Sequence, residues 1–214
     1  MSHALTPIPG ARASARNSDG RELTERGQRR KSELMDAAVR IFAEKGFQGT
    51  SVAEIVRDVG AGKGVFYWYF DSKEALFGEI LRETLVELRR FQADAISDCD
   101  DPVERIALGI RASLRYFADN RHLFAMLEQA WTIDAFRARL EEGQEVVIGD
   151  TAKHVQEGIS RGLIRNGDAL FLAHAIFGVA THVARRFIKA ETDVDQLADE
   201  SVAFCLTGIL DLQS

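Results

Sequence analysis

The sequence predicts an all-α protein of about nine helices, and three observations support that fold class. Only three prolines occur in the 214 residues, and a single one, Pro102, lies beyond residue 10. Strand-like alternation of β-branched residues is nearly absent, whereas apolar residues recur at helical spacing between capping residues and glycines. Hydrophobic residues make up 46% of the chain and charged residues 28%, which is the composition of a globular protein with its own core.

The N-terminal segment, residues 1–24, is rich in Ala, Arg, Ser, Pro and Gly and lacks the apolar stretch of a secretory signal. We therefore expect it to form a flexible basic arm. No run of 18 apolar residues occurs, so no membrane span is expected. Cys99 and Cys205 lie at unrelated positions, which fits a reduced cytosolic protein better than a disulfide framework. The expected location is the cytoplasm, with no membrane partner.

The first two predicted helices are defined by their ends. The first runs from about Glu25 to Lys45 and ends at Gly46, which supplies a C-cap. Ser51 and Glu54 then form a capping box at the start of a short second helix, in which each side chain satisfies a free N–H of the other residue's turn.

The third predicted helix, Lys63–Phe70, is the most informative segment of the chain. Gly60 ends the preceding helix, and the stretch from Lys63 to Phe70 is too short to hold a helix without a scaffold. It is aromatic and cationic, and a short helix of that kind on a helical scaffold is how proteins enter the major groove of DNA. Residues 51–70 therefore predict a helix-turn-helix.

A long fourth helix is predicted to begin at Asp71, where Glu74 completes a second capping box. Its roughly 24 residues would span about 36 Å, enough to connect a small N-terminal domain to a larger C-terminal one. Asp101–Pro102 and Asn120 open the fifth and sixth helices. The seventh, over residues 134–161, contains three glycines, which predict a kink or a break.

The last two predicted helices, 168–190 and 194–212, are apolar around most of their circumference. A helix that is apolar on all sides is buried on all sides. Two arrangements fit this pattern: the helices pack against a second copy of the chain, or they form the central core of a monomer. Small residues such as Ala173 and Gly178 permit close helix packing in either arrangement.

Charge is distributed unevenly along the chain. The net charge is −6, which on its own argues against a nucleic-acid partner. Residues 1–73, however, hold 12 basic and nine acidic side chains, whereas residues 74–214 hold 15 basic and 24 acidic ones. This asymmetry indicates a basic contact module on an acidic body, and random scatter of surface charge is the alternative.

Three stretches at fixed spacing, Thr50–Ile55, Gly60–Gly64 and Tyr67–Leu76, together resemble the TetR family of transcriptional repressors. The upstream run from Ala37 to Phe47 fits as well, so the resemblance covers about residues 28–77. Many residues match at fixed spacing, which makes this signal more specific than a helix-turn-helix shape alone.

The resemblance implies a domain organisation and a set of partners. The expected domains are the arm (1–24), a helix-turn-helix DNA-binding domain (25–73) and an effector-binding and dimerisation domain (74–214). The implied partners are a palindromic double-stranded DNA operator, a small-molecule effector and a second copy of the chain, with no cofactor. The effector is expected to swing the fourth helix and release the DNA, so the chain is expected to be a repressor and not an enzyme.

The resemblance also implies DNA-contact residues at nine positions: Thr50, Ser51, Lys63, Gly64, Val65, Tyr67, Trp68, Tyr69 and Lys73. Thr50, Ser51 and Lys73 are expected to bind phosphates. Lys63 is expected to reach a phosphate or a base edge. Tyr69 stays open between a DNA contact and a place in the core.

Two departures from the family pattern concern the third helix. Gly62 stands where the family often has a Ser or Thr cap, and Val65 and Trp68 replace more polar residues. Sequence readout is therefore expected to depend on apolar contact and on DNA shape. Four basic residues precede or open the first helix: Arg26, Arg29, Arg30 and Lys31. They are expected either to contact the minor groove and flanking phosphates or to form a solvated charged face.

Candidates for an effector pocket are the apolar, aromatic and histidine residues of the body: His122, Phe124, Met126, Trp131, Phe136, His174 and Phe177. For each apolar one, a place in the ordinary core is the alternative. The histidines do not follow the spacing of metal ligands, so no metal site is expected.

Candidates for a dimer interface lie on the last two helices: Phe171, Ile176, Val179, His182, Val202, Leu206 and Ile209. Two other classes of protein are alternatives to a dimeric repressor. A helical enzyme or transport protein would show paired catalytic side chains, and none stand out. An architectural DNA-binding protein would not need so large an acidic body.

Overall fold

The computed structural model describes residues 16–209, and within them the chain forms nine α-helices. In chain order they are α1 (Glu25–Gly49), α2 (Val52–Asp58), α3 (Lys63–Tyr69), α4 (Lys73–Ile96), α5 (Pro102–Asp119), α6 (Arg121–Ala130), α7 (Asp134–Ser160), α8 (Ala169–Phe187) and α9 (Val194–Ile209). The predicted all-α fold is confirmed. Over the same stretch of chain, none of the helices combines the length and the apolar character that a membrane crossing requires.

The first compact unit combines the chain up to Glu87 with His122–Leu140. Its core is an aromatic cluster: the ring of Phe77 stacks on that of Phe136 with 4.0 Å between centroids and meets the ring of Phe47 edge-on at 5.4 Å. Such pairs contribute about 0.5–1.5 kcal/mol beyond the area they bury. The unit therefore continues past residue 73, where the sequence analysis places the end of the DNA-binding domain.

The first helix is interrupted at Gly46, where the sequence predicts its end, but it continues for one more turn. The hydroxyl of Thr24 accepts the N–H of Gly27 at 3.3 Å and caps the start of α1. Gly46 has φ +74° and ψ 165°, so regular helical geometry stops there before a last turn that ends at Gly49. A positive φ of this size costs little only for glycine, and the break brings Phe47 into the aromatic cluster.

Two predicted details of the later helices are wrong. The cap of α4 is Ser72 and not Asp71: the hydroxyl of Ser72 accepts the N–H of Ala75 at 3.0 Å, because Ser72 directly precedes the helix. The helix α7 runs without a break from Asp134 to Ser160, although three glycines lie in it. A glycine costs only about 1 kcal/mol in a helix, and burial of the apolar residues of α7 outweighs that cost.

The second compact unit combines Leu88–Arg121 with the chain from Glu141 onward. The carboxylate of Asp101 accepts the N–H of Val103 at 2.8 Å and begins α5, which packs against α8 and α9. Asp168 caps α8 in the same way. The buried residues of α8 form one side of the helix: Leu172, Ala173, Ile176, Ala180 and Ala184. The opposite side of α8 is exposed within this chain.

Candidate nucleic-acid interface and ligand cavity

The turn between α2 and α3 has a defined hydrogen-bond pattern. The N–H of Gly60 donates to the carbonyl of Arg57 at 3.1 Å, and the N–H of Ala61 donates to the carbonyl of Val56 at 2.7 Å. This pair of bonds is a Schellman motif, which needs the left-handed φ of +64° that Gly60 adopts. The predicted helix-turn-helix is therefore present, and the turn fixes the direction of α3.

The start of α2 is held by the predicted capping box. The N–H of Ser51 donates to Oε2 of Glu54 at 2.9 Å, and the N–H of Glu54 donates to the hydroxyl of Ser51 at 3.3 Å. The ammonium of Lys45 lies 2.6 Å from the same carboxylate. Hydrogen bonds from Lys45 and then Ser51 lower the pKa of Glu54 to about 2. The hydroxyl of Ser51 also donates its proton to Glu54, so its first role is capping.

Thr50 and Lys73 both make hydrogen bonds to backbone carbonyls of the first unit. The hydroxyl of Thr50 donates to the carbonyl of Gly46 at 2.8 Å, and the residue is only 3% exposed. The ammonium of Lys73 donates to the carbonyls of Phe47 (2.6 Å) and Thr50 (2.7 Å) and lies 4.2 Å from the centroid of the Phe47 ring. The buried hydroxyl of Thr50 is therefore taken by a carbonyl of its own unit, which argues against its expected phosphate contact. Lys73 keeps one of its three N–H donors and is half-buried, so its phosphate contact stays a prediction.

The third helix exposes one side and buries the other. The exposed side consists of residues at i, i+1, i+4 and i+5: Lys63, Gly64, Tyr67 and Trp68. A Cβ atom added at Gly64 would meet nothing within 4 Å, so this side is open to close approach. Phe66 and Tyr69 are buried on the opposite side, and Val65 is half-buried. Tyr69 therefore belongs to the core, and burial raises the pKa of its hydroxyl.

The C-terminal end of α3 is held by a turn of residues 16–22, which the sequence analysis assigns to the flexible arm. The hydroxyl of Ser18 lies 3.2 Å from the carbonyl oxygens of both Tyr67 and Trp68, and its N–H donates to Trp68 at 3.3 Å. The guanidinium of Arg21 lies 5.9 Å from the centroid of the Trp68 ring. The turn thus satisfies carbonyls that a helix end leaves open and places a cation over the exposed tryptophan.

This N-terminal turn closes on itself and is anchored to α1. The N–H of Arg21 donates to Oδ1 of Asn17 at 2.8 Å. The ammonium of Lys31 donates to the carbonyl of Arg16 at 3.2 Å and pairs with Glu79 at 3.0 Å. Lys31 is 3% exposed, so neither of its expected roles, a DNA contact or a solvated face, describes it. Residues 1–15 of the predicted arm lie outside the described residues.

The other basic residues at the start of α1 differ from one another. Arg26 and Arg29 are exposed, so both of their expected roles stay open. Arg30 instead donates to the carbonyl of Val59 at 3.0 Å and pairs with Glu33 at 2.8 Å. Arg30 therefore supports the turn of the helix-turn-helix from its other side.

The second unit contains a cavity of about 250 Å³ between α4, α5, α7 and α8. Its walls are mainly apolar and include Leu88, Ile106, Ile110, Val147, Ile176 and Phe177. One polar pair lies among them, since the amide of Gln92 donates to the hydroxyl of Ser113 at 2.8 Å. Burial, and then the nearby Arg105, lower the pKa of His154, which also lines the cavity, so its imidazole is neutral at pH 7. The volume is close to the ~300 Å³ lower end for small-molecule pockets.

Only one of the residues predicted for the pocket, Phe177, lies at this cavity. Five of the others belong to the first unit and do not line this cavity: His122, Phe124, Met126, Trp131 and Phe136. Met126 and Phe136 are core residues there, and His174 is exposed on α8. Aromatic character does not separate a pocket wall from a core, and the polar residues Gln92, Arg105 and His154 follow no spacing that the sequence could reveal. Within residues 16–209, no three acidic, histidine or cysteine side chains converge as a metal site requires.

The predicted interface residues of α8 and α9 divide into two groups. Ile176, Val202 and Ile209 are each 5% exposed within one chain, so they belong to its own core and are corrected. Phe171 and His182 are exposed, whereas Val179 and Leu206 are half-buried. The exposed side of these helices carries further large apolar residues that the prediction missed: Leu170, Phe187 and Phe204.

Comparison with known proteins agrees with this arrangement. Residues 34–80 match the family model of bacterial regulatory proteins, tetR family. The HTH-type transcriptional regulator YfiR of Bacillus subtilis (strain 168) is 27% identical, and the match covers 86% of this chain and 93% of that protein. The HTH-type transcriptional repressor KstR2 of Mycolicibacterium smegmatis is 25% identical, with 86% of this chain and 92% of that protein covered.

A solved structure has a similar fold. The fatty acid degradation regulator FadR from Bacillus halodurans superposes with a TM-score of 0.79, over 88% of this chain and 98% of that one. At 18% identity this likeness concerns the fold. It extends the agreement beyond the helix-turn-helix to the helices of the second unit.

Proposed function

Because this chain belongs to the TetR family of transcriptional regulators, we propose that it represses transcription by placing α3 in the major groove of a specific DNA operator. The exposed side of α3 carries the proposal. An ammonium, a phenol and an indole, from Lys63, Tyr67 and Trp68, lie on the solvent side of a helix whose other side is core. A side chain that only stabilised the fold would not need this exposure.

The exposed residues of α3 are given distinct roles in the proposal. Lys63 and Tyr67 bind phosphates or base edges through their polar groups. Trp68 makes apolar contact with base edges, and Gly64 lets the backbone come close to the DNA. Val65 contributes only at the margin of the contact, because it is half-buried.

The remaining candidate residues lie outside the exposed side of α3. Ser51 stays a proposed phosphate contact through the free N–H groups in the first turn of α2. Thr50 and Tyr69 stabilise the first unit without touching DNA, since both are buried. Lys73 stays a proposed phosphate contact through the N–H that its two backbone bonds leave available. The DNA contact is thus narrower than the family resemblance implies.

We propose that two copies of the chain bind one operator through an interface on the exposed sides of α8 and α9. Phe171 is 66% exposed and Phe204 is 71% exposed, and burial of such a side chain stabilises by about 1.5–3 kcal/mol. A Cβ atom added at Gly178 would meet nothing within 4 Å, which leaves room for a partner helix. The two helix-turn-helix motifs of such a dimer would contact half-sites about 34–36 Å apart. Because a dimer of identical chains is two-fold symmetric, the operator is palindromic.

The cavity of the second unit is the proposed effector site. A small molecule that binds it better in the DNA-free state shifts the population toward that state and releases the operator. The helix α4 lines the cavity with its C-terminal part, and its N-terminal part belongs to the unit that contains the helix-turn-helix. A shift of α4 on effector binding therefore passes along one continuous helix to the DNA-binding unit. The chain is proposed to act in the cytoplasm, where chromosomal DNA is accessible to it.

The proposal is tested by selecting double-stranded DNA from a random library with the full-length protein at low salt, then measuring affinities by fluorescence anisotropy. We expect a palindromic consensus. Trp68→Ala should change the preferred bases, whereas Lys63→Ala should weaken all sequences and reduce the salt slope by about 1. Lys189→Ala, at an exposed lysine of the second unit, is the control and should leave affinity unchanged. Enrichment of no sequence would contradict repression, and a uniform loss in Trp68→Ala would contradict base reading.

A further inference from the structure

Charged side chains at the cavity are unbalanced in favour of cations. Arg89, Arg105 and Lys153 line it together with a single carboxylate, that of Asp150. The carboxylate is already shared, since it lies 2.8 Å from Arg89 and 2.7 Å from Lys153. Burial alone would raise the pKa of Asp150, but hydrogen bonds from Lys153 and Arg89 hold it below its usual value. Asp150 is therefore ionised, and this first cluster still has one positive charge in excess.

The charge of Arg105 is only partly compensated by its neighbours. Its Nη1 lies 2.9 Å from Glu157, and Glu157 also pairs with Arg161, so two cations share one carboxylate. Asp100, 3.8 Å from Arg105, is fully exposed and compensates little through water. The side chain of Arg105 is only 21% exposed, so solvent screens its charge less than that of the surface pairs. The neutral imidazole of His154 adds no charge of either sign.

The exposure of the lining residues shows which part of the cavity faces solvent. Lys153 is 76% exposed and Arg89 is 47% exposed, so these cations lie toward solvent. The apolar walls are buried, with Ile106 and Ile110 at 3% and 4% exposure. A ligand that fits both parts has a polar anionic end toward the cations and an apolar end against the buried walls.

The volume limits the apolar end. A cavity of about 250 Å³ holds on the order of eight groups the size of a water or a methylene, at roughly 30 Å³ each. That is the size of one alkyl chain of about eight carbons. Arginine forks bind carboxylate and phosphate in the same bidentate geometry, so either head group satisfies the cations.

We propose that the cavity binds an amphipathic anion, a single apolar chain of about eight carbons with a carboxylate or phosphate head placed at the Arg89–Lys153 and Arg105 clusters. This extends the proposed function and rests on it only in taking the ligand to be the effector. The anion supplies the negative charge that the two clusters lack, while the chain displaces water from the apolar walls.

Calorimetric titration of the full-length protein without DNA tests the ligand chemistry. The probes are octanoate, octyl phosphate, 1-octanol and octylammonium. We expect an anion to bind about tenfold more tightly than octanol, the amine to bind least, and added salt to weaken only the anions. The tighter anion identifies the head group. Binding of octanol or the amine as tightly as the anions, or binding of none of the four, overturns the proposal.

Matched variants locate the head group. Lys153→Met, at an exposed position, and Arg105→Met should each weaken binding of the anion about five- to tenfold and leave octanol unchanged. Arg115→Met is the control, because this arginine also lies on α5 in an ion pair, with Asp195 at 2.9 Å, but does not line the cavity. Thermal unfolding by circular dichroism checks that each variant is folded. Equal effects of Arg115→Met and Lys153→Met overturn the placement.

A separate arm distinguishes this inference from the proposed function. The anion that binds is added to the protein on its selected operator, and release is followed by anisotropy. Binding without release keeps the ligand chemistry and contradicts the effector role. Failure to select any operator contradicts repression but does not affect the conclusion from calorimetry about which ligand the cavity binds.

Discussion

The two short helices of the helix-turn-helix are stabilised over different distances in the sequence. The start of α2 is held by the Ser51–Glu54 box and by Lys45, nine residues before Glu54. The start of α3 has no side-chain cap, because Gly62 occupies that position. The other end of α3 is held by Ser18, which lies 49 and 50 residues before the carbonyls it contacts.

This difference shows which stabilising contacts a sequence reveals. A capping box has a fixed spacing of three residues and can be read directly from the chain. A hydroxyl that reaches a helix end from 50 residues away has no spacing at all. The helix proposed to read DNA thus depends on a contact outside the motif that identifies it. Substitutions at these contacts measure how much each of them stabilises α2 or α3.

The largest expected effect is that of Lys73→Met, which tests whether α2 depends on local contacts alone. The change removes two charge-assisted hydrogen bonds, to the carbonyls of Phe47 and Thr50, at the entrance to α2. We expect the free energy of unfolding to fall by about 2–3 kcal/mol in denaturant titrations. Lys63→Met, at an exposed lysine, is the control and should stay within about 0.5 kcal/mol. Unchanged stability with lost DNA affinity would show that Lys73 acts as a phosphate contact and does not stabilise the entrance to α2.

Ser51→Ala removes the local cap of α2. Loss of a serine cap costs about 1 kcal/mol, and denaturant unfolding should show a decrease of that size. Ser160→Ala is the matched control, since its exposed hydroxyl donates only to a carbonyl of its own helix. If both variants lose the same stability, the capping box does not distinguish α2.

The capping box also predicts a pH dependence. The pKa of Glu54 falls from 4.5 to about 2 on folding, so its stabilising contribution is present above pH 4.5 and is lost as the pH falls toward 2. Glu54→Gln keeps an acceptor at this position and should cost less at pH 7 than Ser51→Ala. Unfolding measured from pH 7 to pH 2 should show a smaller acid-induced loss in the variant. If the free energy of unfolding falls with pH equally in the variant and in the unchanged protein, Glu54 gains no ionic partner on folding.

Ser18→Ala tests the long-range support of α3. The hydroxyl is half-exposed, so we expect a loss of only about 0.5 kcal/mol in global stability. Amide hydrogen exchange should quicken at the end of α3 and not in α2, and preference at the bases contacted by Trp68 should weaken. Ser97→Ala, which removes an exposed hydroxyl bond to a carbonyl three residues away, is the control. If the amide exchange rates in α3 are the same in both variants, the contact between Ser18 and the end of α3 does not stabilise the helix.

The predictable part of the fold consists of features with short spacing. The nine helices, the capping box and the turn at Gly60 depend on contacts within about five residues, and the structure contains them. The sequence does not reveal that Lys31 is buried or that Lys73 binds two backbone carbonyls, because a lysine near a helix start resembles any surface cation. Lys31 did carry one signal, since it precedes Leu34 by three residues on the buried side of α1. Lys73 carried none, because its acceptors are backbone carbonyls.

The cavity was the least predictable part of the molecule. Phe136 and Phe177 look alike in sequence, yet the first fills the core of one unit and the second lines the cavity of the other. The charge excess at Arg105 and Lys153 depends on which carboxylates lie beside them, and only the packing of α4, α5 and α7 decides that. A net charge of −6 for the whole chain gave no indication of a local positive excess.

Gly62→Ser is expected to have the smallest effect and to test the comparison most directly, because it gives α3 the local cap that α2 already has. Gly62 has φ −90° and a Cβ atom there would meet nothing within 4 Å, so serine fits without strain. A serine hydroxyl could accept the N–H of Val65 and raise the free energy of unfolding by a few tenths of a kcal/mol. The neighbouring Gly60→Ser is the opposing control, since its φ of +64° makes a side chain cost about 1 kcal/mol. A gain at Gly62 with unchanged DNA affinity would show that α3 merely lacks a cap, whereas a gain accompanied by weaker binding would show that the bare backbone at Gly62 is needed where the helix meets DNA.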